Sequence, residues 1–284
     1  FVKTDGSLWG MGSSYYGQLG LGQSGPRSHT FGETPEFDIG VDQDTPAQIL
    51  ASGVIAAFAA DDTSYCIKSD GSLWGMGDNY YGQLGNGKSG SRGIYDNLPA
   101  QEHESTPIQI VSSGVTAVSS NGLGTCFIKD DGSLWVIGRT SMITGKNNNS
   151  PRTTPEKFVD SGVRAVAVGD WHILFVKTDG SLWGMGSNYW GELGDGTTTT
   201  KYSLEWPPTT EPTQILAGGV IDVSCGVGHS RFLKADGTIW AMGLDRYGFI
   251  SGGDASSNES ITTPVQITLA EHRLVTDIPK EKEK

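Results

Sequence analysis

The sequence predicts an all-β propeller, a fold in which repeated sheets of about four strands stand side by side. One segment, Asp-Gly-Ser/Thr-Leu/Ile-Trp, occurs five times in the 284 residues, and successive copies are 48 to 65 residues apart. The copies begin at Asp5, Asp70, Asp131, Asp179 and Asp236. Each lies in a unit of short strand-like runs, and the chain has no helical periodicity. A fixed unit with joining segments of variable length is typical of propeller blades.

The fourth unit shows how each strand is predicted. Residues 163–169 alternate in the manner of a strand, and residues 172–177 are rich in β-branched and aromatic side chains. Residues 178–181 form a tight turn, because Asp-Gly readily supplies positive φ values. Residues 182–186 return as the partner strand, and residues 212–216 end the joining segment as a further strand.

Two glycines share one face of the partner strand in this unit. Gly184 and Gly186 lie on the same side as Leu182, because side chains alternate along a strand. Glycine weakens a strand unless something must come close to it. We therefore expect an adjacent sheet to pack against this face.

The repeated tryptophans and lysines are predicted to be structural. A tryptophan that recurs beside every turn is expected to pack between blades and not to form a ligand-stacking cage; the five are Trp9, Trp74, Trp135, Trp183 and Trp240. A lysine precedes every Asp-Gly turn at the same point of the repeat. These lysines, Lys3, Lys68, Lys129, Lys177 and Lys234, are expected to form a solvated ring on one rim.

No catalytic residue, cofactor site or metal site is predicted. The chain lacks the spacings of a Ser-His-Asp triad, a His-Glu-x-x-His zinc helix and a phosphate-binding loop. Its three cysteines form no Cys-x-x-Cys pair, and Cys66 occupies the position of a core phenylalanine in other copies. His172 and His229 occupy equivalent positions, where we expect them to bond to the backbone and not to catalyse a reaction.

The repeated motifs resemble those of the regulator of chromosome condensation repeat family. The resemblance is carried by Gly-Val-Gly-His-Ser at 226–230, Leu-Lys-Ala-Asp-Gly at 233–237 and Gly-Gln-Leu-Gly-Asn-Gly at 82–87. The amino-acid sequence of the Asp-Gly-Ser-Leu-Trp-Gly-Met-Gly segment resembles that of bacterial members of the family. The resemblance implies a β-propeller, usually of seven blades, whereas five repeats are visible here. The third repeat departs from the pattern, because residues 138–145 lack Gly-Gln-Leu-Gly.

We expect a single propeller domain over residues 1–278 and a charged tail over residues 279–284. The sequence begins at the second strand of a repeat, and residues 274–278 resemble the first strand at 219–223. That strand therefore completes the first blade within one chain, or completes the next copy in a head-to-tail filament. A third reading is that the chain is a part of a larger propeller.

The negative charge of the chain indicates which kinds of partner it could bind. The net charge of −12 argues against nucleic-acid binding and against binding to an anionic membrane, and no apolar run is long enough to insert into a bilayer. The segments that join the units are rich in acidic residues and should crowd one face, as insertions in repeat proteins often do. The predicted partner-binding residues are Glu33, Glu36, Asp38, Asp42, Asp44, Asp96, Glu102, Glu104, Tyr202, Glu205, Trp206 and Glu211.

The sequence therefore predicts a non-enzymatic module for protein–protein interaction or self-assembly, extracellular or on the cell surface. Its partner would be a protein with a basic or cationic surface. The family resemblance leaves a second class open, because the family includes an exchange factor for a small GTPase, light-sensing members and inhibitors of β-lactamase. The alternative is accordingly a regulatory propeller, such as an exchange factor, an enzyme inhibitor or a carbohydrate-active protein.

Overall fold

The computed structural model of this protein describes residues 1–24, 42–90, 102–139, 151–199, 211–246, 250 and 258–267. These residues form eighteen β-strands in five antiparallel sheets and contain no α-helix. Sheet 1 consists of β1 (Leu8–Gly12) and β2 (Gln43–Leu50). Sheet 2 consists of β3 (Val54–Ala60), β4 (Thr63–Lys68), β5 (Leu73–Asp78) and β6 (His103–Val111). Sheet 3 consists of β7 (Val115–Ser120), β8 (Gly124–Lys129), β9 (Leu134–Gly138) and β10 (Arg152–Val159). Sheet 4 consists of β11 (Val163–Val168), β12 (His172–Lys177), β13 (Leu182–Gly186) and β14 (Thr213–Leu216). Sheet 5 consists of β15 (Val220–Cys225), β16 (His229–Lys234), β17 (Ile239–Arg246) and β18 (Asn258–Gln266).

Strands that are consecutive in the chain are neighbours in each sheet, which confirms the predicted four-stranded unit for sheets 2 to 5. Sheet 1 differs, because its described part has two strands and one isolated bridge between Val2 and Leu8. Its described part therefore contains no counterpart of the first strand of the other sheets. Phe1 is 55% exposed, whereas the equivalent Phe175 of sheet 4 is 1% exposed because it packs against apolar side chains of sheet 3.

The apolar core lies between successive sheets. Between sheets 2 and 3, for example, Tyr65 and Ile67 pack in one cluster with Val115 and Phe127. Comparable clusters in the described residues join sheets 1 and 2, sheets 3 and 4, and sheets 4 and 5. Cys66 is fully buried in the first of these, which confirms that it occupies a core position. Burial of apolar surface between neighbouring units is the main stabilising contribution in repeat folds.

Hydrogen bonds also join the sheets in the same way each time. The glycine of each of the first four Asp-Gly turns accepts a bond from the first residue of the next sheet. These bonds run from Val54 N to Gly6 O, Val115 N to Gly71 O, Val163 N to Gly132 O and Val220 N to Gly180 O, at 2.9 to 3.0 Å. Gly180 has a φ of +82°, and a Cβ atom there would lie 3.0 Å from Gly219 N of sheet 5. The turn thus needs glycine both for its backbone conformation and for contact with the next sheet.

Each turn holds its tryptophan through a short chain of hydrogen bonds. In sheet 4, Asp179 Oδ1 accepts bonds from Ser181 N at 2.9 Å and Ser181 Oγ at 2.6 Å. Ser181 Oγ in turn accepts a bond from Trp183 Nε1 at 2.8 Å. The hydrogen bonds from Ser181 lower the pKa of Asp179. The same arrangement recurs in the other four repeats.

The tryptophans are structural, as predicted, but half-buried. Trp183 stacks on Phe175 with ring centroids 6.5 Å apart, and it contacts the cluster between sheets 3 and 4. Its other side is covered by Lys177, whose Nζ lies 4.1 Å from the ring centroid. The five lysines of the predicted rim are at least partly exposed, and each also lies over a tryptophan. The distances are 3.7 to 5.0 Å for Lys3, Lys68, Lys129, Lys177 and Lys234.

The glycine face of the third strand receives a leucine. A Cβ atom on Gly184 would lie 2.6 Å from Leu174 Cδ2, 2.9 Å from Ile215 Cδ1 and 3.1 Å from Leu193 Cδ2. Leu193 comes from the Gly-Glu-Leu-Gly loop of the same repeat and is buried between sheets 4 and 5. The close approach is thus made by Leu174 and Ile215 of the same sheet, together with Leu193 of the repeat's own loop. In the third repeat, which lacks this loop motif, Val136 stands in place of the glycine and is buried.

Candidate functional site

The strand order places two kinds of segment at one end of every sheet. The hairpins that join first to second strands, such as residues 61–62 and 170–171, lie at this end. The segments that follow the third strands lie at the same end, because antiparallel strands reverse direction each time. We call this end the loop face, and the opposite end, which carries the Asp-Gly turns, the turn face.

The described part of the predicted partner-binding set begins the outer strands at the loop face. Asp42 and Asp44 lie at the start of β2, Glu102 and Glu104 at the start of β6, and Glu211 just before β14. Asp42, Asp44 and Glu211 are exposed, and Glu104 lies 4.0 Å from Lys88 Nζ. The remaining residues of the set, Glu33, Glu36, Asp38, Asp96, Tyr202, Glu205 and Trp206, lie outside the described residues, and their role stays a prediction.

Sequence reasoning missed a set of paired aromatic side chains on the same face. The pairs are Tyr15 with Tyr16, Tyr80 with Tyr81, and Tyr189 with Trp190, each with edge-to-face rings 4.5 to 5.0 Å apart. All six side chains are partly exposed. The recurrence of two aromatic residues after Gly-Met-Gly was a usable signal, because edge-to-face pairs present both a polar tip and an apolar ring.

A buried amide holds two of the three aromatic pairs in place, whereas the first repeat has Ser14 at this position. Asn79 Oδ1 accepts a bond from Leu84 N at 2.9 Å, and its amide nitrogen donates to Asn86 Oδ1 at 2.8 Å. Asn188 makes the corresponding bonds to Leu193 N and Asp195 Oδ1 in the fourth repeat. These side-chain bonds replace the secondary structure that the loop lacks, and so they fix the position of the aromatic residues.

Each loop is also fastened to the following sheet. Gly22 N donates to Ser105 O, Gly87 N to Thr153 O and Gly196 N to Thr262 O, at 2.7 to 2.8 Å. These three bonds place the loop of one repeat over the outer strand of the next. The loop face is consequently built from adjacent units and is not a series of separate loops.

Acidic hairpin residues add negative charge near the aromatic pairs. Burial raises the pKa of Asp62, and the carboxylates of Asp78 and Asp61 raise it further. Burial also raises the pKa of Asp78, despite hydrogen bonds from Tyr80 N and the Gln83 amide. The pKa of Asp170, in the hairpin of sheet 4, is raised by burial and by Asp61. Carboxylates from two sheets thus oppose one another's ionisation, which marks the loop face as a region of negative potential.

The histidine nearest to a hydroxyl group does not form an accessible nucleophile. His172 Nε2 lies 2.7 Å from Ser230 Oγ, and Ser230 Oγ donates to Glu192 O at 2.8 Å. Both side chains are completely buried, so no substrate reaches them. Burial lowers the pKa of His172 to about 3, and the ring is therefore neutral. The pair links sheets 4 and 5.

The expectation of a histidine–backbone bond fits His229, whose Nδ1 lies 3.4 Å from Val227 O. It is wrong for His172, because Ser230 of the next sheet lies within reach. Among the described residues, no group of three or more His, Cys, Asp and Glu side chains is arranged to hold a metal ion. Within the same ranges, no helix is long and apolar enough to span a bilayer.

The chain is a repeat protein of the propeller class, because similar sheets follow one another and hydrogen bonds join each sheet to the next. One family model for the regulator of chromosome condensation (RCC1) repeat matches residues 70–127 and 179–233. A second model for the same repeat matches residues 163–191 and 220–248, and together they cover about half of the chain. The chain belongs to the regulator of chromosome condensation repeat family.

Solved structures share this fold. Human WBSCR16 is 18% identical with a TM-score of 0.65, and the match covers 94% of this chain and 63% of that protein. Yeast RCC1 (Prp20) bound to Kap60 is 17% identical with a TM-score of 0.67, covering 95% of this chain and 61% of the other. Prp20p from Saccharomyces cerevisiae, described together with its binding to Gsp1p and histones, is 17% identical with a TM-score of 0.69. That match covers 95% of this chain and 63% of the other. The chain thus spans less than two thirds of the length of these proteins, and the likeness establishes the fold.

Proposed function

We propose that this protein is a non-enzymatic interaction module that binds another protein through its loop face. The observation that carries the proposal is the combination of partly exposed aromatic pairs and acidic side chains on that face. Aromatic side chains supply much of the binding energy of protein interfaces, and they do so best when rigidly held. The buried amides of Asn79 and Asn188 supply that rigidity here.

The partner we propose has a basic surface. Asp42, Asp44 and Glu211 are exposed on the loop face, and burial beside other carboxylates raises the pKa of Asp62 and Asp170 nearby. A cationic partner would favour the ionised form of all of these groups. The lysines of the turn face, in contrast, already lie over tryptophan rings. Complementary charge of this kind raises association rates and selects partners.

A salt titration with matched variants tests this proposal. The partner is first captured from native extract and identified, and its association rate is then measured at several ionic strengths. Exposed charges are screened over about 8 Å at physiological ionic strength, so association should slow as salt is added. The double change Asp44→Asn with Glu211→Gln should slow association several-fold.

The control removes two exposed carboxylates from the turn face by Asp130→Asn with Asp160→Asn. This variant carries the same net charge as the first one and should associate at the wild-type rate. Equal rates for both double variants, or a rate that does not respond to salt, would contradict binding through the loop face.

A regulatory propeller is the second candidate. The yeast relative is described with a bound Kap60 and with binding to Gsp1p and histones, and those partners belong to that protein. By analogy, the partner here would be a protein whose activity changes on binding. Measuring the activity of the captured partner with and without this chain separates the regulatory function from simple attachment.

Self-association is proposed as a further mode of this module. A cavity of about 410 Å³ beside sheet 1 is lined by Val2, Leu8 and Phe58, where the other sheets have their first strand. The segment predicted to fill that position, residues 274–278, lies outside the described residues. Light scattering on the intact chain and on a chain without residues 268–284 tests the alternatives. Closure within one chain predicts that both chains are monomers and that the shortened chain is less stable. A filament predicts large particles from the intact chain alone.

Extracellular or cell-surface location stays a prediction of the sequence, and cell fractionation tests it.

A further inference from the structure

A cleft of about 290 Å³ opens between the hairpins of sheets 4 and 5 on the loop face. Trp171, Tyr189 and Trp190 form its aromatic walls. Ser187 and Glu192 supply the polar part of the lining. The cleft is thus mainly aromatic with one carboxylate, and its size suits a single side chain.

The cleft depends on differences between the fourth repeat and the others. Trp171 stands where the third repeat has Leu123, and Trp190 stands where the second repeat has Tyr81. On the far wall, a Cβ atom on Gly228 would lie 3.1 Å from Trp190 Cδ1. Glycine at this hairpin position therefore lets the backbone approach the edge of the indole ring closely.

The carboxylate of Glu192 is the unusual group in this cleft. It occupies the position of Gln83, whose amide nitrogen donates to Asp78 Oδ2 at 2.8 Å and to Gly122 O at 2.9 Å. A carboxylate has no such hydrogen atoms to donate. Ser187 replaces the aspartate in the fourth repeat, so the carboxyl group has moved from the start of the loop to its centre, where burial raises the pKa of Glu192.

Glu192 is 2% exposed and is held by neutral donors only. Trp190 N donates to its Oε2 at 2.7 Å, and Ser187 Oγ lies 3.3 Å from its Oε1. No lysine or arginine of the described residues forms a salt bridge with it. A buried carboxylate without a cation is costly, and a bound cation offsets that cost.

We propose that this cleft binds the cationic end of one basic side chain of the protein partner, a guanidinium or an ammonium group. The inference rests on the proposed function, because it names the chemistry that the loop face recognises at one position. Indole faces attract cations, most strongly where water is excluded. A hydrogen bond between a guanidinium group and a carboxylate is about twice as strong as a neutral one. A contact between an ammonium group and an indole ring already occurs on the turn face, where Lys177 Nζ lies 4.1 Å from the Trp183 centroid.

The test compares two ligands that differ in charge and hardly in shape. Nα-acetyl-arginine amide and Nα-acetyl-citrulline amide are titrated into the intact protein, and tryptophan fluorescence or NMR shifts report on binding. The arginine compound should bind saturably and at least tenfold more tightly than the neutral citrulline compound. Equal binding of the two would overturn the proposal, because the cleft would then be recognising apolar shape.

The variants use residues that the chain itself carries at equivalent positions. Glu192→Gln restores the residue found at Gln18 and Gln83, so the fold should be retained, and we expect a tenfold or greater loss of affinity for the arginine compound. Trp171→Leu restores the residue of the third repeat and should weaken binding similarly. Asp160→Asn, on the turn face, should leave binding unchanged. Wild-type affinity in Glu192→Gln, with an unchanged unfolding midpoint, would overturn the proposal.

Binding experiments with the partner show whether the cation belongs to the partner or to a free small molecule. If Glu192→Gln weakens partner binding as well as binding of the arginine compound, the cation belongs to the partner, as proposed. If only the small compound loses affinity, the cleft is a site for a free organic cation and the assignment to the partner is wrong. If partner binding is salt-dependent but the arginine compound does not bind, this inference fails while the proposed function stands.

Discussion

Adding one methyl group to the glycine face should destabilise the protein, and the repeats themselves suggest why. Gly184→Ala would place a Cβ atom 2.6 Å from Leu174 Cδ2, 2.9 Å from Ile215 Cδ1 and 3.1 Å from Leu193 Cδ2. Side-chain atoms approach this closely only with strain, so at least two neighbours must move. Insertion of a methyl group into a packed core costs about 1–3 kcal/mol. We expect Gly184→Ala to lower the free energy of unfolding by about 2 kcal/mol.

Gly218→Ala is the matched control. The nearest atom to a Cβ there is Asp179 O at 3.7 Å, an ordinary contact distance. Replacing glycine by alanine at such a position removes freedom from the unfolded chain and stabilises a protein by about 0.4–1 kcal/mol. The two variants have the same composition and should shift the unfolding midpoint in opposite directions.

A double variant tests whether Leu193, besides Leu174 and Ile215, is one of the side chains that crowd this glycine. Leu193→Ala alone should cost about 2–5 kcal/mol, because the side chain is fully buried. Combined with Gly184→Ala, the total cost should fall below the sum by about 0.5 kcal/mol or more, since the added methyl then enters vacated space. Val136 in the third repeat is the natural form of this exchange. Urea unfolding monitored by tryptophan fluorescence measures all four proteins. A wild-type midpoint for Gly184→Ala would refute the reasoning, and strict additivity in the double variant would show that Leu174 and Ile215 alone account for the strain.

Three further predictions follow from the contacts in sheet 4. Trp183→Ala should cost about 2 kcal/mol, less than the roughly 3–5 kcal/mol of a fully buried aromatic residue, because this ring is half-buried; a wild-type melting temperature would contradict its structural role. Asp179→Asn should destabilise the protein at neutral pH, and because bonds from Ser181 lower the pKa of Asp179, the difference should shrink as the pH falls below 3.8; a constant difference down to pH 2 would argue against the assignment. His172→Gln should remove part of the acid sensitivity of unfolding. Burial lowers the pKa of His172 from 6.5 to about 3, so in the wild type this group's contribution is present above pH 6.5 and is lost as the pH falls towards 3; parallel pH profiles for the two proteins would contradict this.

The sequence by itself determined the unit of this protein. The strands of sheets 2 to 5, the Asp-Gly turns and the buried position of Cys66 were all predictable, because each depends on residues close together in the chain. Repetition strengthened these predictions, since the same pattern recurs in five independent contexts. The acidic character of the loop-face segments was likewise readable from composition.

Only the tertiary structure decided which residues of neighbouring units meet. His172 lies within hydrogen-bond distance of Ser230, and Trp171 lines a cleft together with Glu192 and Gly228. The repeat pattern does not specify the lengths of the segments that connect these residues. The lysines provide a clear case: their shared position before each Asp-Gly turn predicted a rim of lysines, whereas only the structure shows that the Lys177 amine lies over an indole ring. Such contacts depend on how separate strands and sheets are positioned in space. Periodicity along the chain specifies the face on which a side chain lies, whereas the distance to its partner is set by the packing of the sheets.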